Sequence, residues 1–220
     1  MKWWSRLWRS VTGSSFRGPS RWARLTLPGW NEDAPVHGLR IWRDSDGDVL
    51  SLATPTGGLG LPKGSETELR RWCRELARER GAGLIEVAGI GPSASLIYKR
   101  LQMPAYVYTG MFINSAQGFP LVWTIVATER GTTGVREAVV TSNLMNAGKL
   151  TLDDYKREWA LDPYEPAYRG VDRSVLRFTS DDESYDEQFP QHPLSKVRRV
   201  LRALPAAIQF DAEKPQSSTS

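Results

Sequence analysis

The period at which apolar residues recur changes along the chain, and each change marks an element. Two short runs, 39–43 and 49–53, flank Asp44-Ser45-Asp46-Gly47-Asp48, and an Asp-Gly pair between strand-like runs predicts a hairpin. Ser65 and Glu68 have capping-box spacing. Beyond them Leu69, Trp72, Cys73 and Leu76 form one helical stripe until Gly81, so a helix is predicted over 65–80. From Gly83 the period shortens to two, and 84–87, 96–101, 105–113 and 121–128 read as strands separated by Gly, Pro, Ser and Asn turns. Connections this short demand antiparallel neighbours, because a parallel pair needs a crossover of about a dozen residues. Along 105–113, Tyr106, Tyr108, Gly110 and Phe112 share one face and Val107, Thr109, Met111 and Ile113 the other. Both faces are largely apolar, so both need cover.

Three downstream segments can supply it. The stretch 133–147 reads as a helix with Val135, Val139, Leu144 and Met145 among its apolar positions and Gly148 at its end. Another begins at Thr151 and places Leu152, Tyr155 and Trp159 at helical spacing before Pro163. In 194–204, Leu194, Val197, Val200, Leu201 and Leu204 make one face and Lys196, Arg198, Arg199 and Arg202 the other. The expected class is therefore α+β, an antiparallel sheet meander with helices packed on it, of which an α/β/α sandwich is one form. The expected organisation is an arm and linker over 1–20, a single domain over 21–210, and a disordered polar tail over 211–220.

Composition changes this picture little. Hydrophobic residues make 40% and charged residues 25% of the 220, close to globular averages and unlike a disordered or coiled-coil chain. No window approaches the ~18 apolar residues of a membrane span. Charge placement is more informative. Lys2, Arg6, Arg9, Arg17, Arg21 and Arg24 all precede the first acid, Glu32, so positions 1–31 carry +6; removing these from the overall +4 leaves −2 from Glu32 onward. The body lacks the basic excess of a folded nucleic-acid reader, and nucleic acid is not an expected partner. Cys73 is the single cysteine, so no intramolecular disulfide and no multi-cysteine zinc pattern is available. The first twenty residues lack a continuous apolar signal-peptide core, and a cytoplasmic location is expected.

The arm itself is amphipathic. At 100° per residue Trp4, Leu7, Trp8 and Val11 fall within roughly a 100° arc, with Lys2, Arg6 and Arg9 opposite. Five of the nine tryptophans lie in the first thirty residues. A helix of about ten residues is marginal in water and needs a surface, which an anionic bilayer face or a partner's groove can provide. Lys2, Trp3, Trp4, Arg6, Leu7, Trp8, Arg9 and Val11 are thus candidate docking residues for a membrane surface or a partner protein. The alternative is an arm folded onto its own domain or left unstructured.

Candidate chemistry is sparse. His37 and His192 are the two histidines, and neither has ligand spacing. Gly89-Ile90-Gly91-Pro92 lacks the third glycine of a dinucleotide fingerprint, and no phosphate loop or serine elbow occurs. Cys73 lies on an apolar stripe and reads as a structural thiol. Asp44 to Asp48 reads as a solvated turn, because no terminal glutamate completes a calcium loop. Asp181, Asp182, Glu183, Tyr185, Asp186, Glu187 and His192 form the densest polar group, from which an acid/base or hard-cation site can be built with help from Tyr106 and Tyr108. The simpler expectation is a solvated acidic loop at the N-terminal side of the last helix. No catalytic residue, cofactor or metal ligand is assigned.

The order hairpin, helix, antiparallel strands, helices over about 21–210, without a catalytic signature, resembles the PsbP-like superfamily. The resemblance implies an antiparallel sheet sandwiched by helices and a binding or accessory role without catalysis; it carries no residue role. The functional expectation is a noncatalytic cytoplasmic interaction module with a docking arm, and the alternative is an enzyme using the 181–192 segment.

Overall fold

The computed structural model describes residues 23–36, 39–55, 59, 61–62, 64–89, 93–116 and 119–210. The arm residues Lys2, Trp3, Trp4, Arg6, Leu7, Trp8, Arg9 and Val11, the tail 211–220 and His37 lie outside the described residues. The predicted α+β class is present. Seven strands, β2 (Asn31–Val36), β3 (Leu39–Arg43), β4 (Val49–Ala53), β5 (Gly83–Ala88), β6 (Ala94–Gln102), β7 (Ala105–Ala116) and β8 (Phe119–Thr128), form one sheet in the order β2-β3-β4-β8-β7-β6-β5. Every neighbouring pair is antiparallel. Two meanders, β2-β3-β4 and β5-β6-β7-β8, are thus joined where β4 pairs with β8.

Helices cover both faces. Helix α1 (Glu66–Arg78) starts at the predicted capping box, with Ser65 and Glu68 satisfying each other's backbone N–H. It lays Leu69, Cys73, Leu76 and Ala77 on Leu84, Leu96, Tyr98, Met111 and Ile113. Helix α4 (Pro193–Ala207) covers the opposite face, where Leu194, Val197, Val200, Leu201 and Leu204 meet Tyr108, Phe112, Trp123 and Ile125. Gly110 lets α4 come close: a Cβ there would lie 2.6 Å from Val197 Cγ1 and 2.9 Å from Leu201 Cδ1. Strands β1 (Ala23–Leu25) and β11 (Ile208–Phe210) pair beside α4 and bring the two ends of the described domain together.

Helix α2 (Val135–Asn146), helix α3 (Leu152–Glu158), and strands β9 (Ala160–Leu161) and β10 (Arg177–Phe178) build a third cluster around Val140, Trp159, Leu176 and Phe178. The expected α3 stripe is corrected: Leu152 and Tyr155 are exposed and only Trp159 is buried. This helix is held by its own Thr151–Asp154 capping box more than by an apolar face. Strand β2 is an addition to the predicted set. Its residues are all exposed, and its pairing to β3 is reinforced by Arg40–Glu32 and Arg43–Asp33 ion pairs. At the other edge, the Tyr164 hydroxyl accepts from Val87 N at 2.7 Å and donates to Val87 O at 3.2 Å. Charge and Pro35 on one edge and a side-chain bridge on the other blunt the sheet ends.

Candidate functional site

The 181–192 segment departs from the solvated loop expected of it. Asp181 is wholly buried, its Oδ2 accepting from Lys99 Nζ at 2.6 Å and from Phe178 N at 2.7 Å. Lys99, on β6, is equally buried and places its ammonium 3.1 Å from the Phe178 ring centroid and 5.0 Å from that of Tyr106. Burial drives the Lys99 pKa below the usual lysine range, and Asp181 opposes the shift. The Tyr108 hydroxyl lies 3.5 Å from Asp181 Oδ1, and burial holds this phenol well above its ordinary value.

Arginines pull the rest of the segment inward. Asp186 Oδ1 accepts from Arg136 and Arg198, each at 2.9 Å, and from Ser195 Oγ at 3.0 Å. Arg136 also donates to Ser180 O at 2.6 Å and Asp182 O at 2.8 Å, while Arg198 reaches Asp181 O and Glu86, each at 2.7 Å. Glu183 and Glu187 stay exposed. The basic face expected on the last helix is therefore corrected as well. Lys196 and Arg198 are buried, and only Arg199 and Arg202 face outward.

The Asp44–Asp48 turn is likewise not simply solvated. Lys196 Nζ donates to Asp44 at 2.9 Å, Asp46 at 2.5 Å and Asp48 at 2.7 Å, and Arg130 adds a 2.7 Å contact to Asp48. Three carboxylates that resemble a cation site thus surround an ammonium of the chain itself.

Between this clamp and α2 opens a cleft of about 590 Å³ whose lining includes Asp48, Glu129, Arg136, Phe189 and His192. His192 is the N-cap of α4: its Nδ1 accepts from Leu194 N at 3.2 Å. That bond places the ring proton on Nε2, which points to Glu129 Oε1 at 3.5 Å, and the ring stands edge-on to Tyr108 at 5.2 Å. The Nδ1 lone pair is thus committed to the backbone, while the buried Nε2 faces Glu129 without a hydrogen-bond partner.

Glu129, just past the end of β8, accepts from Tyr106 N at 3.0 Å and Gly134 N at 3.2 Å. Burial pushes its carboxyl up, but His192 and the two backbone donors outweigh it and leave the pKa below the usual range. Glu137, in the first turn of α2, is the converse. Burial, then Asp181 and Glu129, push its pKa up, against its own backbone N–H and Lys99. Both of its carboxylate oxygens are buried without a hydrogen-bond partner. Glu137 also lines a second cleft of about 520 Å³, walled by Tyr106, Tyr155, Trp159 and Phe178.

Donor atoms of Glu129, Glu137 and His192 lie within 4.8 Å of one another, and these three residues can hold a metal ion. Sequence reasoning singled out His192 but neither glutamate. Glu129 sits just past an apolar strand and Glu137 beside the inward Arg136 of a weakly amphipathic helix, so only their shared proximity in space marks them. The chain matches no family model, and a comparison with curated proteins found no match.

Proposed function

We propose that the protein is a noncatalytic interaction module that docks on an anionic membrane face through its N-terminal arm. The observation that carries this reading is the separation of charge. Positions 1–31 hold six basic residues and no acid, while the remainder is net negative. The body's cations are largely engaged by its own acids, as at Arg74–Asp162, Lys99–Asp181, Lys196–Asp48 and Arg198–Asp186. Attraction to anionic lipid then falls to the arm, where each Lys or Arg near the surface adds about 1 kcal/mol and tryptophan favours the headgroup level. Among the described residues no helix is long and apolar enough to cross a membrane, which accords with a peripheral mode. The lone buried Cys73 accords with a cytoplasmic setting.

The commitment of the His192 Nδ1 lone pair to Leu194 N and of Asp181 to Lys99 and Phe178 N supports a noncatalytic role over an acid/base role for the 181–192 segment. Cosedimentation of the full chain with anionic and neutral vesicles tests the reading. Salt-sensitive binding to anionic vesicles alone is expected. Failure to bind them at low salt overturns it and redirects the arm to a protein partner.

A further inference from the structure

Counting charges around the α2–α4 junction leaves two acids over. Lys99 is matched by Asp181, and Arg136 and Arg198 are matched by Asp186 and Glu86. Glu129 and Glu137 remain, with oxygens within 4.8 Å of each other and no cationic side chain bonded to Glu137. Two like charges this close beneath the surface repel unless a proton or a cation is held between them. The neighbouring Asp44–Asp46–Asp48 trio meets the same requirement with Lys196 at its centre. No side chain plays that part between Glu129 and Glu137 among the described residues.

A second, independent feature points into the same space. The His192 side chain is only 9% exposed, and its Nε2 has no hydrogen-bond partner while facing Glu129. A buried polar atom left unpaired is rare in folded proteins and calls for a bound group. Glu129 and His192 line the 590 Å³ cleft and Glu137 lines the 520 Å³ cleft, so the three residues lie between two surface clefts.

We propose that Glu129, Glu137 and His192 form a divalent-cation site of the oxygen-preferring class, suited to calcium, magnesium or manganese. The two carboxylates are the ligands. His192 is a positioning residue: its Nδ1 is committed to Leu194 N–H, so its Nε2–H is left to donate to a water on the ion. That commitment separates the site from histidine-ligated zinc, which requires a free nitrogen lone pair. The site is independent of the arm and goes beyond the docking role.

The test uses the full chain, stripped with chelator and titrated by calorimetry with calcium, magnesium and manganese, with thermal unfolding as a second readout. Saturable 1:1 binding of at least one ion, accompanied by a rise in Tm, is expected. Glu137→Gln should abolish the binding and the Tm rise. His192→Asn, which keeps a good N-cap, should weaken binding about tenfold or more and not remove it. Asp46→Asn, in the Lys196 trio, should bind as the parent does. No saturable binding up to about 10 mM, beyond the weakest protein calcium sites, overturns the proposal. So does unchanged binding by Glu137→Gln, with its fold verified by circular dichroism. Binding of zinc without any of the three ions overturns it as well.

Discussion

Lys99 and Asp181 meet at 2.6 Å with neither side chain reaching solvent, which ties strand β6, the neighbour of the edge strand β5, to the segment leading into α4. Breaking one half of such a pair leaves an uncompensated buried charge. Lys99→Met should destabilise the protein by about 3–5 kcal/mol, and Lys99→Met with Asp181→Asn should recover a large part of that loss. Urea unfolding of the three proteins checks this, and equal stabilities would show that the pair is not structural.

Lys196 clasps the β3–β4 hairpin from α4. Lys196→Met removes the cation from three carboxylates, of which Asp48 is buried, and should cost about 3 kcal/mol. It should also speed amide exchange across the Asp44–Asp48 turn. Asp46→Asn, at the solvent side, should leave stability nearly unchanged.

Burial pushes the Cys73 thiol up to about 12, from an ordinary value of 9.0. Because the folded value is raised, this thiol's contribution to stability is complete below pH 9 and is lost as pH rises through about 12. At about pH 8 roughly one molecule in ten thousand carries the thiolate in the folded state. A thiol reagent should therefore label Cys73 only as fast as the protein unfolds, with labelling accelerated by urea. Rapid labelling without denaturant would contradict this burial.

Gly110 sits directly under the Val197 and Leu201 side chains of α4. Gly110→Ala would set a methyl 2.6 Å from Val197 Cγ1, 2.9 Å from Leu201 Cδ1 and 3.0 Å from Ile125 Cγ2. Overpacking should cost about 1–3 kcal/mol, read as a lower urea midpoint. Pairing the change with Val197→Ala should restore part of it.

The legible parts of the fold were those with a strong local period. Strands β5 to β8, the β3–β4 hairpin and the capping box at Ser65 follow from alternation, turn residues and the Ser65–Glu68 spacing. Strand β2 was not legible because Asn-Glu-Asp-Ala-Pro-Val has no apolar alternation; its place is set by β3 and by charges facing it. The inward charges were illegible for a different reason. Lys99 and Lys196 find acids 82 and 148 residues away, and Arg198 adds Glu86, 112 residues away, to Asp186, so local sequence assigns them to solvent. His192 was visible as one member of an acidic segment, yet the acids it meets, Glu129 and Glu137, come from the residue after β8 and from α2.

The most direct test of the docking role compares the full chain with a variant carrying Lys2→Gln, Arg6→Gln and Arg9→Gln, by cosedimentation with anionic vesicles across a salt titration. Three charges at about 1 kcal/mol each predict a fall in vesicle partitioning of roughly a hundredfold at low salt, with the remaining binding less sensitive to salt than the parent's. Equal binding by the two proteins, or equal binding to anionic and neutral vesicles, would contradict the account.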